Sequence, residues 1–166
     1  MPRSFKPIRL VAFSVALAVV TGVVIFWLKG GPGADGGEYS IIDGDTIELR
    51  DVGRVRYIGI DAPERDEPYY DEARQYNERL LSQGEMSLGY GRERYDRYRR
   101  TLAYVYVRTE AGRSVFVNEE MIRAGWAKAL EIPPNTEYAP RLRRAEEEAR
   151  RYGRGIWAAG PRNGES

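Results

Sequence analysis

Residues 10–28 form an apolar run interrupted only by Ser14, Thr21 and Gly22. The stretch just beyond it, Gly30-Gly31-Pro32-Gly33-Ala34-Asp35-Gly36-Gly37, reads as a flexible linker. Together they confine any folded domain to the chain from about Glu38 to about Gly160. An apolar helix of roughly 19 residues, rising about 1.5 Å per residue, nearly crosses a hydrocarbon core of about 30 Å. Arg3, Lys6 and Arg9 precede the run and Trp27 lies near its far end. That is the pattern of a single-pass anchor with a cytoplasmic N-terminus and an exported domain. A cleaved signal peptide is the other reading. Its apolar region is usually shorter, about 7–15 residues, and ends at a small-residue site, for which residues 20–29 offer no good candidate. The expected organisation is an anchor or signal peptide over residues 1–29, a linker over 30–37, a domain over 38–160 and a tail over 161–166. No internal repeat is visible. The domain is expected at the cell membrane on the extracytoplasmic side, held through residues 10–28, or secreted if the segment is cleaved.

The chain of 166 residues has no cysteine and no histidine. This removes disulfides, thiolate sites, histidine-based triads and the usual zinc sites. Hydrolytic chemistry here must rest on carboxylates, arginines, tyrosines or lysines, with a hard, oxygen-preferring cation as the natural metal. The formal net charge is +1, so any affinity for a polyanion comes from a local patch.

The spacing predicts strands at residues 39–42, 46–50 and 54–60, with Asp43-Gly44 as the turn between the first two. Apolar residues at helical spacing predict a helix over 68–83. Strands follow at 86–90 and 101–107, the latter an almost continuous apolar run. Asn118 is expected to cap a helix ending near Gly125. A last helix carries Tyr138, Leu142, Ala145, Ala149 and Tyr152 on one stripe and stops at Gly153. Early strands without crossover helices speak against a doubly wound sheet and for a small barrel with packed helices.

Three clusters carry candidate chemistry. Asp43-Gly44-Asp45-Thr46 taken alone is a turn. Arg56 through Glu64, closing on Asp61-Ala62-Pro63-Glu64, taken alone is a strand exit. Asp96-Arg97-Tyr98-Arg99-Arg100 taken alone is a solvated loop. Together they supply carboxylates for a cation, a further carboxylate to activate water, and two arginines to clamp a phosphate. Phosphodiester hydrolysis needs that set.

These motifs, with Val117-Asn118-Glu119-Glu120-Met121-Ile122-Arg123-Ala124-Gly125-Trp126-Ala127-Lys128 and the closing Gly155-Ile156-Trp157, resemble the staphylococcal nuclease (thermonuclease) family in order and spacing from about Tyr39 to Trp157. The resemblance implies an α+β, mainly β domain: a five-stranded oligonucleotide-binding (OB) barrel with three helices, here preceded by one N-terminal transmembrane helix. It implies Ca²⁺-dependent cleavage of DNA and RNA to 3′-phosphate ends. Asp45 and Asp61 match the calcium carboxylates. Ala62 matches a backbone-carbonyl ligand, and Asp43 a neighbour of the metal acting through water. Glu64 matches the general base, Arg56 and Arg100 the phosphate-binding arginines, and Arg97 and Tyr98 the contacts to a bound nucleotide's terminal phosphate. No protein partner is implied, and a monomer is expected.

Two departures stand out. Arg99 replaces the glycine of the family's Y-G-R. The segment after Lys128 offers Leu130, Glu131 and Pro133 where the family stacks tyrosines on a base. The alternative function is a non-catalytic OB module binding single-stranded nucleic acid at the membrane surface. Such degenerate members typically lose the acids or arginines, all of which are present here.

Overall fold

A computed structural model describes residues 39–158. The chain divides into two units, Met1–Asp35 and Gly36–Ser166, and every described residue belongs to the second. The expected anchor and linker lie outside the described residues. Among those described, no helix is long and apolar enough to cross a membrane.

The strands are β1 (Tyr39–Ile41), β2 (Thr46–Leu49), β3 (Gly53–Tyr57), β4 (Ile60–Asp61), β5 (Gly84–Tyr95), β6 (Thr101–Thr109), β7 (Ser114–Phe116) and β8 (Lys128–Ala129). The helices are α1 (Tyr70–Leu81), α2 (Val117–Arg123) and α3 (Ala139–Arg151), followed by a 3₁₀ turn at Gly155–Trp157. Strands outnumber helices, as expected of an α+β domain with three helices.

The main sheet runs β1-β2-β3-β6-β5, with β7 added on β6, and β4 pairs separately with β8. All pairings are antiparallel except β3 with β6. The expected closed barrel is corrected to an open sheet. Among the described residues β1 is three residues long and pairs only with β2, so β1 and β5 remain edges and no ladder joins them.

The core collects Ile47 from β2, Val55 and Tyr57 from β3, Val105 and Val107 from β6, and Leu142 from α3, all essentially without solvent exposure. The apolar run in β6 is buried at most positions, since β6 pairs with β3, β5 and β7 and α2 packs against it. At α2 the structure corrects the expected cap. The residue before the helix is Phe116, and no side chain caps it. Asn118 instead lies buried inside the first turn. It donates from Nδ2 to the Ile58 carbonyl at 2.8 Å and accepts the Val105 amide through Oδ1 at 2.8 Å. A local capping signal is overridden by two buried backbone groups that need partners.

Glu119 ties α2 to α3, accepting from Arg123 at 2.6 Å and from Arg141 Nε at 2.8 Å. Burial works to raise its carboxyl pKa, but these two guanidinium contacts outweigh burial and hold it below the usual range. The closing Gly-Ile-Trp is explained by backbone contact. Ile156 donates its amide to the Gly125 carbonyl at 2.8 Å. A Cβ on Gly155 would stand 2.2 Å from that same oxygen, and both glycines have positive φ.

Candidate active site

The Asp43-Gly44-Asp45 turn is held from both ends. Asp43 accepts the Asp45 amide at 2.9 Å through Oδ1, an Asx turn, and the Ile42 and Asp43 amides both donate to the Thr46 carbonyl. The side chain of Asp43 thus shapes the turn. Gly44 is required by space, since a Cβ there would sit 2.6 Å from the Ala62 Cβ. Helix α1 braces the turn. Asn77 donates to the Asp43 carbonyl at 3.1 Å and accepts from the Tyr57 hydroxyl at 3.0 Å, while Tyr70 donates to the Ile42 carbonyl at 2.9 Å.

This scaffold presents Asp45 at the mouth of β2, with only 7% of its side chain exposed. Its Oδ2 accepts the Ala62 amide at 2.7 Å and Oδ1 accepts the Thr46 hydroxyl at 3.1 Å. From β3, Arg56 reaches across. Nη1 donates to the carbonyls of Tyr57 at 2.8 Å and Ile60 at 2.7 Å. Nη2 lies 3.0 Å from Asp45 Oδ2 and 3.0 Å from Asp61 Oδ1. Two carboxylates from separate segments thus converge on one nitrogen. Burial pushes the Asp45 carboxyl up to about 7, the Arg56 charge opposes this, and Asp43 adds to the rise.

Two convergent carboxylates, one of them buried, suit a hard, oxygen-preferring cation. Among the described residues no cluster of three or more Asp or Glu side chains converges, so the protein would supply few ligands and water the rest.

Arg100 approaches from the loop just before β6. Asp96 organises its loop, accepting the Tyr98 and Arg100 amides on Oδ1, each at 2.9 Å, and Arg100 Nε on Oδ2 at 2.7 Å. Both Nη groups of Arg100 remain uncommitted among the described residues. The sequence did not single out Asp96 for this role. Arg99, in the place of the family's glycine, adopts φ 64, the left-handed region that L side chains occupy only at a cost. The substitution thus strains the backbone without displacing Arg100, which Asp96 fixes independently. Arg99→Gly is expected to raise stability by roughly 0.5–1 kcal/mol, the strain relieved less the chain entropy that glycine adds, with the Arg100 contacts retained. The denaturant midpoint measures it, and a fall in stability would show that Arg99 is not strained.

Arg56 and Arg100 line one groove of about 500 Å³, together with Arg97, Tyr98, Leu130 and Ile132. Arg97 and Tyr98 are both exposed and in mutual contact, with Arg97 Nη2 2.7 Å from the Tyr98 hydroxyl. Leu130 and Ile132 face the groove, whereas Glu131 turns away and pairs with Arg143 of α3. Of Leu130, Glu131 and Pro133, only Leu130 lines the groove, joined there by Ile132. Glu64 lies on the exposed loop after β4. Its amide donates to Glu67 at 2.9 Å, and its carboxylate has no partner among the described residues.

The family described as "Staphylococcal nuclease homologue" matches residues 54–159. The chain is 35% identical over 127 residues to the thermonuclease of Staphylococcus hyicus, covering 71% of this chain and 72% of that protein. It is 36% identical over 126 residues to the thermonuclease of Staphylococcus intermedius, covering 70% and 72%. It is 36% identical over 128 residues to endonuclease YncB of Bacillus subtilis (strain 168), covering 70% and 58%. By these matches the chain belongs to the staphylococcal nuclease family.

Proposed function

We propose that the chain is a calcium-dependent nuclease that hydrolyses phosphodiester bonds of DNA and RNA and leaves 3′-phosphate ends. Family membership supports a nuclease, a hydrolase of nucleic-acid phosphodiesters. The observation that carries the finer reading is the convergence of Asp45 and Asp61 on Arg56 Nη2, beside a groove also lined by Arg100. The sheet order β1-β2-β3-β6-β5, with its single parallel pair, supports an OB-type architecture for the domain.

Asp45 and Asp61 would hold the cation, with the Ala62 carbonyl and, through water, Asp43 beside them. A calcium ion bound there would neutralise phosphate charge and polarise a phosphoryl oxygen. Arg56 Nη1 donates to the carbonyls of Tyr57 and Ile60, and Nη2 lies 3.0 Å from a carboxylate oxygen of both Asp45 and Asp61. With a cation on the carboxylates, Nη2 would be the arm able to turn to a phosphoryl oxygen, while Nη1 holds Tyr57 and Ile60. Arg100 offers both Nη groups from the other wall. Together they stabilise charge in the transition state. Glu64 is unencumbered and takes a proton from the attacking water. Arg97 and Tyr98 hold the terminal phosphate of the bound nucleotide. The domain acts as a monomer outside the cell, anchored through residues 10–28 or released by cleavage, as the basic residues before that run support.

The test is plasmid DNA and single-stranded RNA incubated with the protein and Ca²⁺, then with chelator. Degradation that chelator stops is expected. Retarded but intact DNA would instead show a binding module.

The groove wall also sets an expectation for short substrates. Ile132, 60% exposed, offers no stacking face. Ile132→Tyr is expected to lower KM for a dinucleotide about fivefold or more, a base stack being worth about 1–3 kcal/mol, with kcat little changed. Glu131→Tyr, facing α3, is expected to do nothing. Improvement by the second variant and not the first would place the base elsewhere.

A further inference from the structure

Strand β5 continues past the point where its ladder with β6 breaks. Tyr90 pairs with Ala103, but the next partners are Tyr95 and Thr101. Residues 91–94 therefore stand opposite the single Leu102, and the strand bulges outward. The bulge is pinned from 42 residues away. Buried Asn135 accepts the Glu93 amide at 2.9 Å and donates to the Glu93 carbonyl at 2.8 Å. Gly91 lies so close that a Cβ there would stand 2.4 Å from Asn135 Oδ1.

This fixed bulge displays Arg92 and Arg94, both exposed and neither ion-paired among the described residues. Arg94 lies over the Tyr90 ring at 3.9 Å. Tyr95 is 55% exposed and Tyr98 64% exposed, and Arg99, also exposed, has no ion pair among the described residues. Neighbouring guanidiniums without a carboxylate partner repel one another. Such a surface suits a ligand with both negative charge and flat faces. A single polynucleotide strand has both, with phosphates for the guanidiniums and bases for the rings. The surface also runs into the catalytic groove, whose wall includes Glu93, Arg97 and Tyr98.

We propose that the β5 bulge is a second binding surface for single-stranded nucleic acid, carrying the strand beyond the nucleotide held at the arginine clamp, with Arg92 and Arg94 on its phosphates and Tyr95 against a base. The inference rests on the nuclease reading above for its biological use, but not for its test. Asn135 is then a positioning residue that holds the arginines out from the sheet.

The experiment uses the full-length protein in neutral detergent with chelator present, so that nothing is cut. Fluorescence anisotropy measures binding of a long labelled oligothymidylate and of a labelled dinucleotide. R92S/R94S is expected to weaken the long strand about tenfold at moderate salt. It should also reduce the slope of log affinity against log salt by about 1.4, at about 0.7 per phosphate contact. Dinucleotide binding should not move. Asn135→Ala, with both arginines intact, should give a partial loss of the same selective kind. Cleavage with Ca²⁺ should show KM raised for the polymer alone, at constant kcat. Unchanged long-strand affinity in R92S/R94S overturns the proposal, and so does an equal loss on both ligands. An effect confined to protein reconstituted in vesicles containing anionic phosphatidylglycerol, with none on the oligonucleotide, assigns the arginines to lipid and also overturns it. A wild-type protein that binds the long strand through these arginines but never cuts it sinks the nuclease reading and leaves this surface standing.

Discussion

Asp45→Asn is expected to abolish calcium-dependent cleavage while the domain stays folded. Asparagine keeps the shape and an oxygen acceptor for the Ala62 amide, which the aspartate now accepts at 2.7 Å. It removes the charge that a cation needs. The fold should tolerate this, because burial already pushes the Asp45 carboxyl up to about 7, so a neutral side chain costs the folded state little near neutral pH. The thermal transition and the cleavage rate are measured on the same preparation. A folded variant cutting at the wild-type rate would remove Asp45 from the site. The same raised pKa gives the calcium requirement a direction. Protons and calcium compete for one carboxylate, so the calcium concentration for half-maximal rate should rise as pH falls below about 7. The limit well below that value is about tenfold per pH unit. A calcium requirement flat between neutral and acid pH would contradict the assignment.

Arg56→Lys and Arg100→Lys are each expected to lower kcat by at least about 10²–10³, the loss seen when one preorganised donor is removed from a developing charge. The geometry gives different reasons for the two. Arg56 serves two carbonyls and two carboxylates at once, and a single ammonium cannot span them. Arg100 uses Nε to lock onto Asp96 and keeps two Nη groups for substrate. A lysine on Asp96 has nothing left to offer, and one turned to substrate loses its anchor. Single-turnover rates at saturating substrate separate this from weaker binding. Near-wild-type kcat in either variant would make that arginine structural.

Asp96 shows why the candidate site was legible only in part. The acids and arginines stood out as three charged clusters, and their roles came from the resemblance of those motifs to the family's. What holds them was not visible. Asp96, Asn77 and Asn135 each act through backbone or side-chain contacts that only folding creates, two of them across more than thirty residues. The helices α1 and α3 declared themselves by apolar spacing. Strands β7 and β8, three and two residues long, are too short for any periodicity, and β8 is a strand only through its backbone pairing with β4, Ile60 opposite Ala129 and Asp61 opposite Lys128. The far end of β5 is all charge and tyrosine, so no apolar alternation marked it as strand. Asn118 carried a true local capping signal that the unmet needs of Ile58 and Val105 overrode. Of the three residues offered after Lys128, Glu131 is drawn to Arg143 of α3, a partner that only the packed helix supplies.

Whether the carboxylates gathered by Arg56 support calcium-dependent phosphodiester cleavage is decided by single-turnover cleavage of a 5′-labelled single strand by wild type and Asp45→Asn, in calcium, in chelator, and in calcium restored after chelator. Wild type is expected to cut to 3′-phosphate ends in calcium, not at all in chelator, and fully again when calcium is restored, and the variant is expected to cut under no condition. Equal cleavage with and without calcium, or cleavage by Asp45→Asn at the wild-type rate, would contradict that reading.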